Sequence, residues 1–269
     1  MSATKIKVSE SRHAVVMGGA RGIGEAIVRC LAADGFAVTI ADRLEAEAAA
    51  LSRRLQAEGF TTFATGVDIT NRADLEALAA TMKERAGSRG VLAAVNSVGV
   101  FDERATVLNT SVDSFQRLLN VNVLGAFSFS QTIAPALGKD ASIVHIGSVN
   151  GKLAGAELGC YKVTKAAMHM LARCLAMELA RDARRIRVNV VAPGWVDTPG
   201  ERVIHQTAPG QIHPLDDPAN TTWIPLQRRT EAHEIGDTVA YLCSHRSSAI
   251  TGQIFYVDCG ITVRSPQEV

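Results

Sequence analysis

The stretch "HAVVMGGARGIGEAIVRCLAADG", His13–Gly35, decides the fold. Its first part, His13–Gly19, is a short apolar run ending in glycines and reads as a strand. Its last part, Gly24–Gly35, sets Ile27, Val28, Leu31 and Ala32 on one helical face and stops at a glycine. Between them Gly18, Gly22 and Gly24 are spaced G-x-x-x-G-x-G, one residue longer than the G-x-G-x-x-G fingerprint. Arg21 and Ile23 lie inside that loop. Glycines allow a tight turn and let the backbone approach a pyrophosphate, whose charge sits well at a helix N-terminus. A strand before the loop and a helix after it make this reading far more specific than the glycines alone.

The same rhythm continues outward. "FAVTIADR", a strand in "TTFATGVDIT", "VLAAVNSVG", Ala141–Gly147, "RIRVNVVAPG" and "QIFYVD" complete seven strands. Helical stretches separate them, including "LEAEAAALSRRLQAEG", "NRADLEALAATMKERAG" with Asn71 as its N-cap, and segments near Ser111–Leu137, Tyr161–Arg181 and Ala232–Ser244. Alternating units with near-continuous apolar strands predict one parallel seven-stranded sheet covered by helices on both faces, a doubly wound α/β fold. The 269 residues suit a single domain. Val196–Leu226 breaks the rhythm, with five prolines in 31 residues. It starts after a strand's carboxyl end, where ligands bind in such sheets, and is expected to be a substrate lid.

Composition excludes several classes. A net charge of +1 offers no bulk field for nucleic acid or acidic membranes. No apolar run reaches membrane-spanning length, and "MSATKIKVSESRH" has no apolar signal core. The five cysteines, Cys30, Cys160, Cys174, Cys243 and Cys259, form no close pair, so a reducing, cytoplasmic setting is expected. The seven histidines show no ligand spacing, and no metal is expected; His205 and His213 fall in the lid.

Asp42 ends the second strand, 18 residues beyond Gly24, where an acidic residue accepts hydrogen bonds from a ribose. A carboxylate there repels a 2′-phosphate and favours NAD over NADP, while Arg21 and Arg43 are the residues that would pair with one. Asp68, with Ile69 beside it, follows the third strand and either meets the adenine or organises the turn.

A second stretch, "CYKVTK", holds Tyr161 and Lys165 at i and i+4, on one helical face. A Lys ammonium beside a Tyr hydroxyl favours the phenolate, so the reading expects a lowered Tyr161 pKa and a general acid/base. Ser148 ends a strand 13 residues earlier in "HIGSVNG", and Asn122 sits in the apolar helix of "LNVNVLG".

Jointly these motifs resemble the short-chain dehydrogenase/reductase family, over about residues 12 to 262. "NSVG" at Asn96–Gly99, "IRVNVVAPGWVDTP" and "ITGQIFYVDCG" extend the resemblance. It implies a Rossmann-type domain and an NAD(P)-dependent oxidoreductase. It implies Tyr161 as acid/base, Ser148 on the substrate oxygen, Lys165 on the nicotinamide ribose and Asn122 on a relay water. Asn96 and Gly99 would line the cofactor cleft, and Pro193, Gly194, Val196 and Thr198 would hold the carboxamide. A homotetramer or homodimer through the two long helices is implied as well. Three departures stand out: Met17 where Thr is usual, Val98 in the altered "NSVG", and Cys259 where Gly is common.

Val98, Val100, Asn150, Leu158 and Trp195 follow strand ends and are expected to line the substrate pocket. They suit a small or medium cyclic or aromatic secondary alcohol or its ketone. No cluster of Arg or Lys for a phosphate or coenzyme A tail is evident, although Arg202 lies in the lid. An NADP-dependent ketone or 3-oxoacyl reductase is the alternative within the class. A catalytically silent nucleotide sensor or scaffold is the alternative outside it, and the complete set of four chemical residues counts against that.

Overall fold

A computed structural model describes residues 12–101, 104–204 and 212–263. The strands are β1 (Arg12–Met17), β2 (Phe36–Asp42), β3 (Thr62–Gly66), β4 (Val91–Asn96), β5 (Leu137–Ile146), β6 (Arg187–Pro193) and β7 (Ile254–Val257). The helices are α1 (Gly22–Ala33), α2 (Glu45–Ala57), α3 (Arg72–Ala86), α4 (Val112–Leu119), α5 (Gly125–Ile133), α6 (Gly159–Ala180), α7 (Pro199–Ile204) and α8 (Ala232–Cys243).

The seven strands form one parallel sheet in the order β3-β2-β1-β4-β5-β6-β7. The expected doubly wound Rossmann-type architecture is therefore the one observed. Strand order reverses between β1 and β4, so the carboxyl ends of these neighbours open a crevice. Two apolar layers fill the faces. Ile27, Leu31, Leu51, Ile235 and Val239 pack from α1, α2 and α8 on one side. Leu75, Met82, Phe129, Ile133, Ala172 and Ala176 pack from α3, α5 and α6 on the other.

Local chemistry sets several boundaries. Asn71 caps α3 by accepting the Ala73 N–H, as its position predicts. The helix expected over Ser111–Leu137 is interrupted, because α4 passes through a π-turn at Asn120–Leu124 into α5. It ends in a 3₁₀ turn at Ala134–Ala136, and β5 begins four residues earlier than expected, at Leu137. That early start is a short pairing of Leu137 with Val91, followed by a register shift in the β4 and β5 ladder.

Among described residues, the expected lid holds α7 and a return segment. Arg202 ties them, bonding Asp197 at 2.6 Å and Asp216 at 2.9 Å. Val196 bridges to Thr230, and Trp195 stacks on Trp223 at 6.3 Å. His205 lies outside the described residues. Among described residues no helix is long and apolar enough to cross a membrane.

Candidate active site

The crevice is a cleft of about 1520 Å³ at the carboxyl ends of the strands. Its nucleotide end is built by glycine. Gly18 has φ +78° and Gly22 φ +58°, a region side chains disfavour. A methyl group on Gly24 would sit 1.9 Å from the Gly18 carbonyl oxygen. The N-cap of α1 is Arg21 in extended backbone with no side-chain cap, so the first N–H groups of α1 look into the cleft unblocked. Met17 does not loosen this loop. Gly18 N–H donates to Ala41 O at 2.7 Å, and Ser97 N–H donates to Met17 O at 2.8 Å. Val98 seats against Gly18, where an added Cβ would lie 2.9 Å from its methyl.

Asp42 is buried and lines the cleft. Its Oδ2 accepts the Ala20 N–H and its Oδ1 the Leu44 N–H, each at 3.0 Å. Each oxygen keeps a further lone pair that can accept a hydrogen bond. Arg21 and Arg43 are exposed residues of the same lining. Asp68 organises its turn, accepting the Thr70 N–H at 2.8 Å and hydroxyl at 2.7 Å. These bonds hold its carboxyl below the usual range, with Arg43 adding a smaller pull. Ile69, Gly99, Pro193, Gly194, Val196 and Thr198 also line the cleft.

Asn96 does not. It is buried beneath the loop, where its Oδ1 accepts the Val98 N–H at 3.1 Å. Its amide faces His145 Nδ1, and His145 Nε2 meets the Ser130 hydroxyl at 3.2 Å. Asn96 therefore supports the cleft wall from behind rather than lining it.

At the chemical end, Ser148, Tyr161 and Lys165 share the lining. Ser148 begins a 3₁₀ turn and accepts the Asn150 N–H at 3.1 Å. Tyr161 and Lys165 are one turn apart on α6. The Lys165 Nζ donates to Ile146 O at 3.1 Å and lies 5.7 Å from the Tyr161 ring centroid. An added Cβ on Gly99 would lie 2.9 Å from that Nζ, so the loop after β4 passes close to the ammonium. Burial pulls Lys165 down to about 8.

Tyr161 corrects an expectation. Desolvation pushes its hydroxyl up to about 12; hydrogen bonding with Ser148 lowers it, and the charge of Glu201 raises it further. The Lys165 ammonium stands 5.7 Å from the ring centroid, and its pull toward the phenolate is outweighed by burial.

Asn122 is buried in the π-turn and does not line the cleft. Its amide donates to Val100 O at 2.8 Å and to the Thr164 hydroxyl at 3.0 Å, and its Oδ1 accepts the Val100 N–H at 2.8 Å. It clamps the loop after β4 to α6 through Thr164.

The expected substrate residues Val98, Val100, Asn150, Leu158 and Trp195 all line the cleft. The sequence reading missed Phe101, which meets Tyr161 edge-on at 5.9 Å, and Trp223, Glu201, Arg104, Arg117 and Lys162. His213 is no pocket member, since its ring bonds the Arg202 carbonyl and the Leu215 N–H. Arg202 likewise points to its two aspartates and does not line the cleft.

A family model described as enoyl-(acyl carrier protein) reductase matches residues 18–262. An uncharacterized short-chain type dehydrogenase/reductase of Sinorhizobium fredii is 33% identical over 97% of this chain, and the chain spans 45% of that relative's own length. The chain belongs to the short-chain dehydrogenase/reductase family. The trans-4-hydroxycyclohexanecarboxylate dehydrogenase of Sinomonas cyclohexanicum is 33% identical, over 97% of this chain and 96% of that one. Among solved structures, a gluconate 5-dehydrogenase of Burkholderia cenocepacia in complex with NADP and tartrate has a TM-score of 0.82 and 31% identity, covering 94% and 96% of the two chains. As a member of this family the chain is an oxidoreductase acting on CH–OH groups.

Proposed function

We propose that this short-chain dehydrogenase/reductase oxidises a small or medium cyclic or aromatic secondary alcohol with NAD, and reduces the ketone in reverse. The observation that carries the reading is the meeting of Ser148, Tyr161 and buried Lys165 in the cleft that the glycine loop opens. A dinucleotide fits these residues: the loop has no room for a Cβ at Gly24, and α1 presents uncapped N–H groups. Gly18, Arg21, Gly22, Ile23 and Gly24 would hold the pyrophosphate, and Asp42 the adenosine ribose. Lys165 would hold the second ribose, and Pro193, Gly194, Val196 and Thr198 the carboxamide. When bound, the nicotinamide supplies the hydride acceptor or donor.

The chain's own residues handle the proton. Ser148 donates to the substrate oxygen and orients it. In reduction, Tyr161, held protonated by burial, gives its proton to the developing alkoxide. In oxidation Tyr161 must be ionised to take that proton, and the Lys165 ammonium is the nearby charge of this chain that favours the phenolate. Asn122 fixes the wall and keeps one Oδ1 lone pair for a relay water. The lid segment closes the apolar side with Trp195 and Trp223, and Val98, Val100, Phe101 and Leu158 complete a surface suited to a ring. The named activity of the Sinomonas relative, on a ring alcohol, supports that choice.

An NADP-dependent ketone or 3-oxoacyl reductase is the second reading, favoured by Arg21 and Arg43 in the cleft lining and by the NADP of the gluconate 5-dehydrogenase structure. Rates with NAD and NADP, before and after Asp42→Ala, decide it: the native protein should prefer NAD and the variant should lose that preference. Native preference for NADP overturns the reading of Asp42. Exposed Leu124, Phe127, Met170 and Met177, around α5 and on α6, support a homotetramer or homodimer through these helices. Five cysteines without a disulfide support a reducing, cytoplasmic setting. Tyr161→Phe tests enzyme against silent sensor. It should abolish turnover of a cyclic alcohol panel and leave dinucleotide affinity within about twofold; equal loss of both sinks the role of Tyr161.

A further inference from the structure

The cleft holds a second polar bridge beside the first. Ser148 and Tyr161 interact at the chemical centre. Asn150, two residues after Ser148, accepts a hydrogen bond from the Lys162 ammonium, one residue after Tyr161. Both bridges join the same 3₁₀ turn to the same end of α6, and all four residues line the cleft. On a helix, adjacent residues diverge by about 100°, so Lys162 leaves the Tyr161 face and flanks it.

We propose that the substrate carries a carboxylate and that Lys162, with Asn150, receives it. The inference rests on the dehydrogenase reading above and names the substrate class for that same site. Lys162 is half-buried and, among the described residues, has no carboxylate within ion-pair distance. Its one described polar partner is a neutral amide. Burial first, then repulsion from another cation, the Arg104 guanidinium, depresses the Lys162 pKa. Glu157 is engaged with Arg104 at 3.5 Å, and Glu201 accepts the Trp195 indole N–H at 2.9 Å. A half-buried ammonium beside a second cation, lining the cleft with no carboxylate of its own among the described residues, is stabilised by an anion arriving from solution. The substrate would then be held at two points, its hydroxyl at Ser148 and Tyr161 and its carboxylate at Lys162 and Asn150, with the ring against Val98, Val100 and Phe101.

The test reads binding, not turnover, so it is separate from the role of Tyr161. The chain has two tryptophans, Trp195 and Trp223, and both line the cleft. Their fluorescence therefore reports directly on a ligand seated there. Cyclohexanecarboxylate and its uncharged isostere cyclohexanecarboxamide are titrated into the dinucleotide-loaded protein. The carboxylate should bind at least about tenfold more tightly, and added salt should weaken it alone. Lys162→Arg should keep the preference, and Lys162→Gln should bring the two ligands within about twofold while dinucleotide affinity stays unchanged. Equal binding by the native protein, a preference that survives Lys162→Gln, or no carboxylate response up to about 10 mM overturns the proposal. If the preference holds while Tyr161→Phe retains turnover, the receptor stands and the assignment of Tyr161 falls.

Discussion

Gly24 is the position where one added methyl group does most harm. Its Cβ would lie 1.9 Å from a backbone oxygen that cannot rotate away, so the loop itself must move. Gly24→Ala should weaken dinucleotide binding at least about tenfold by calorimetric titration, whereas Gly59→Ala, at φ +94° but outside the cleft, should cost stability and leave affinity unchanged. Tyr161 makes a prediction about pH. Its hydroxyl is raised to about 12 by burial, so the phenolate needed for oxidation is the minor form at neutral pH. Oxidative kcat/KM should rise with pH, and Lys165→Met should move that rising limb to higher pH, because it removes the cation that favours the phenolate. A Lys165 that only held the ribose would raise the KM for dinucleotide and leave the limb where it was. At this scale the glycine loop and the Tyr161, Lys165 pair were legible from spacing. Lys162 was not, although it stood between them. Its meaning depends on Asn150, placed opposite by a turn that no helical periodicity encodes.

Elements show where periodicity stops informing. Strand and helix alternation placed all seven strands, because buried parallel strands are near-continuous apolar runs. The π-turn at Asn120–Leu124 was not legible, since one extra residue in a helical turn leaves the apolar pattern on either side intact. It matters because it presents Asn122 to the Val100 backbone and to Thr164 on α6. Asn122→Leu would take the amide partner from the part-buried Val100 N–H and carbonyl, at about 1 kcal/mol of stability. It should lower the thermal midpoint and cut kcat together, since the displaced wall carries Gly99 against Lys165. The lid makes the opposite kind of prediction. Arg202 bonds Asp197 and Asp216 outside the cleft, so Arg202→Ala should raise the KM for alcohol several-fold and, because Val196 and Thr198 flank Asp197, weaken dinucleotide affinity by a smaller factor. A loss of dinucleotide affinity as large as the rise in KM would show that the segment serves chiefly the cofactor.

The whole molecule's response to acid follows from what its sheet buries. His145 is fully buried in β5, between Asn96 and Ser130, and Lys165 faces it from α6. Burial first, then the Lys165 charge, depresses its pKa to about 4. His169, one turn beyond Lys165, is depressed to about 4 by burial and by Lys165 and Arg173. A depressed histidine stays neutral in the fold but charges in the unfolded chain below about 6.5, so the unfolded state gains protons that the native state refuses. Stability is therefore full above about pH 6.5 and falls as pH drops toward 4. For His145 alone the loss between pH 7 and pH 5 is about 2 kcal/mol, and His169 acts in the same direction. Urea unfolding at the two pH values measures it. His145→Gln keeps a polar group near Asn96 and Ser130 but cannot titrate, so the variant should lose less stability on acidification than the native chain, even if it is less stable at pH 7. A variant as acid-sensitive as the native chain would place the titrating group elsewhere. The same burial links stability to chemistry, because Lys165 both depresses the two histidines and stands beside Tyr161. Lys165→Met should therefore flatten the acid response from the side of the catalytic helix.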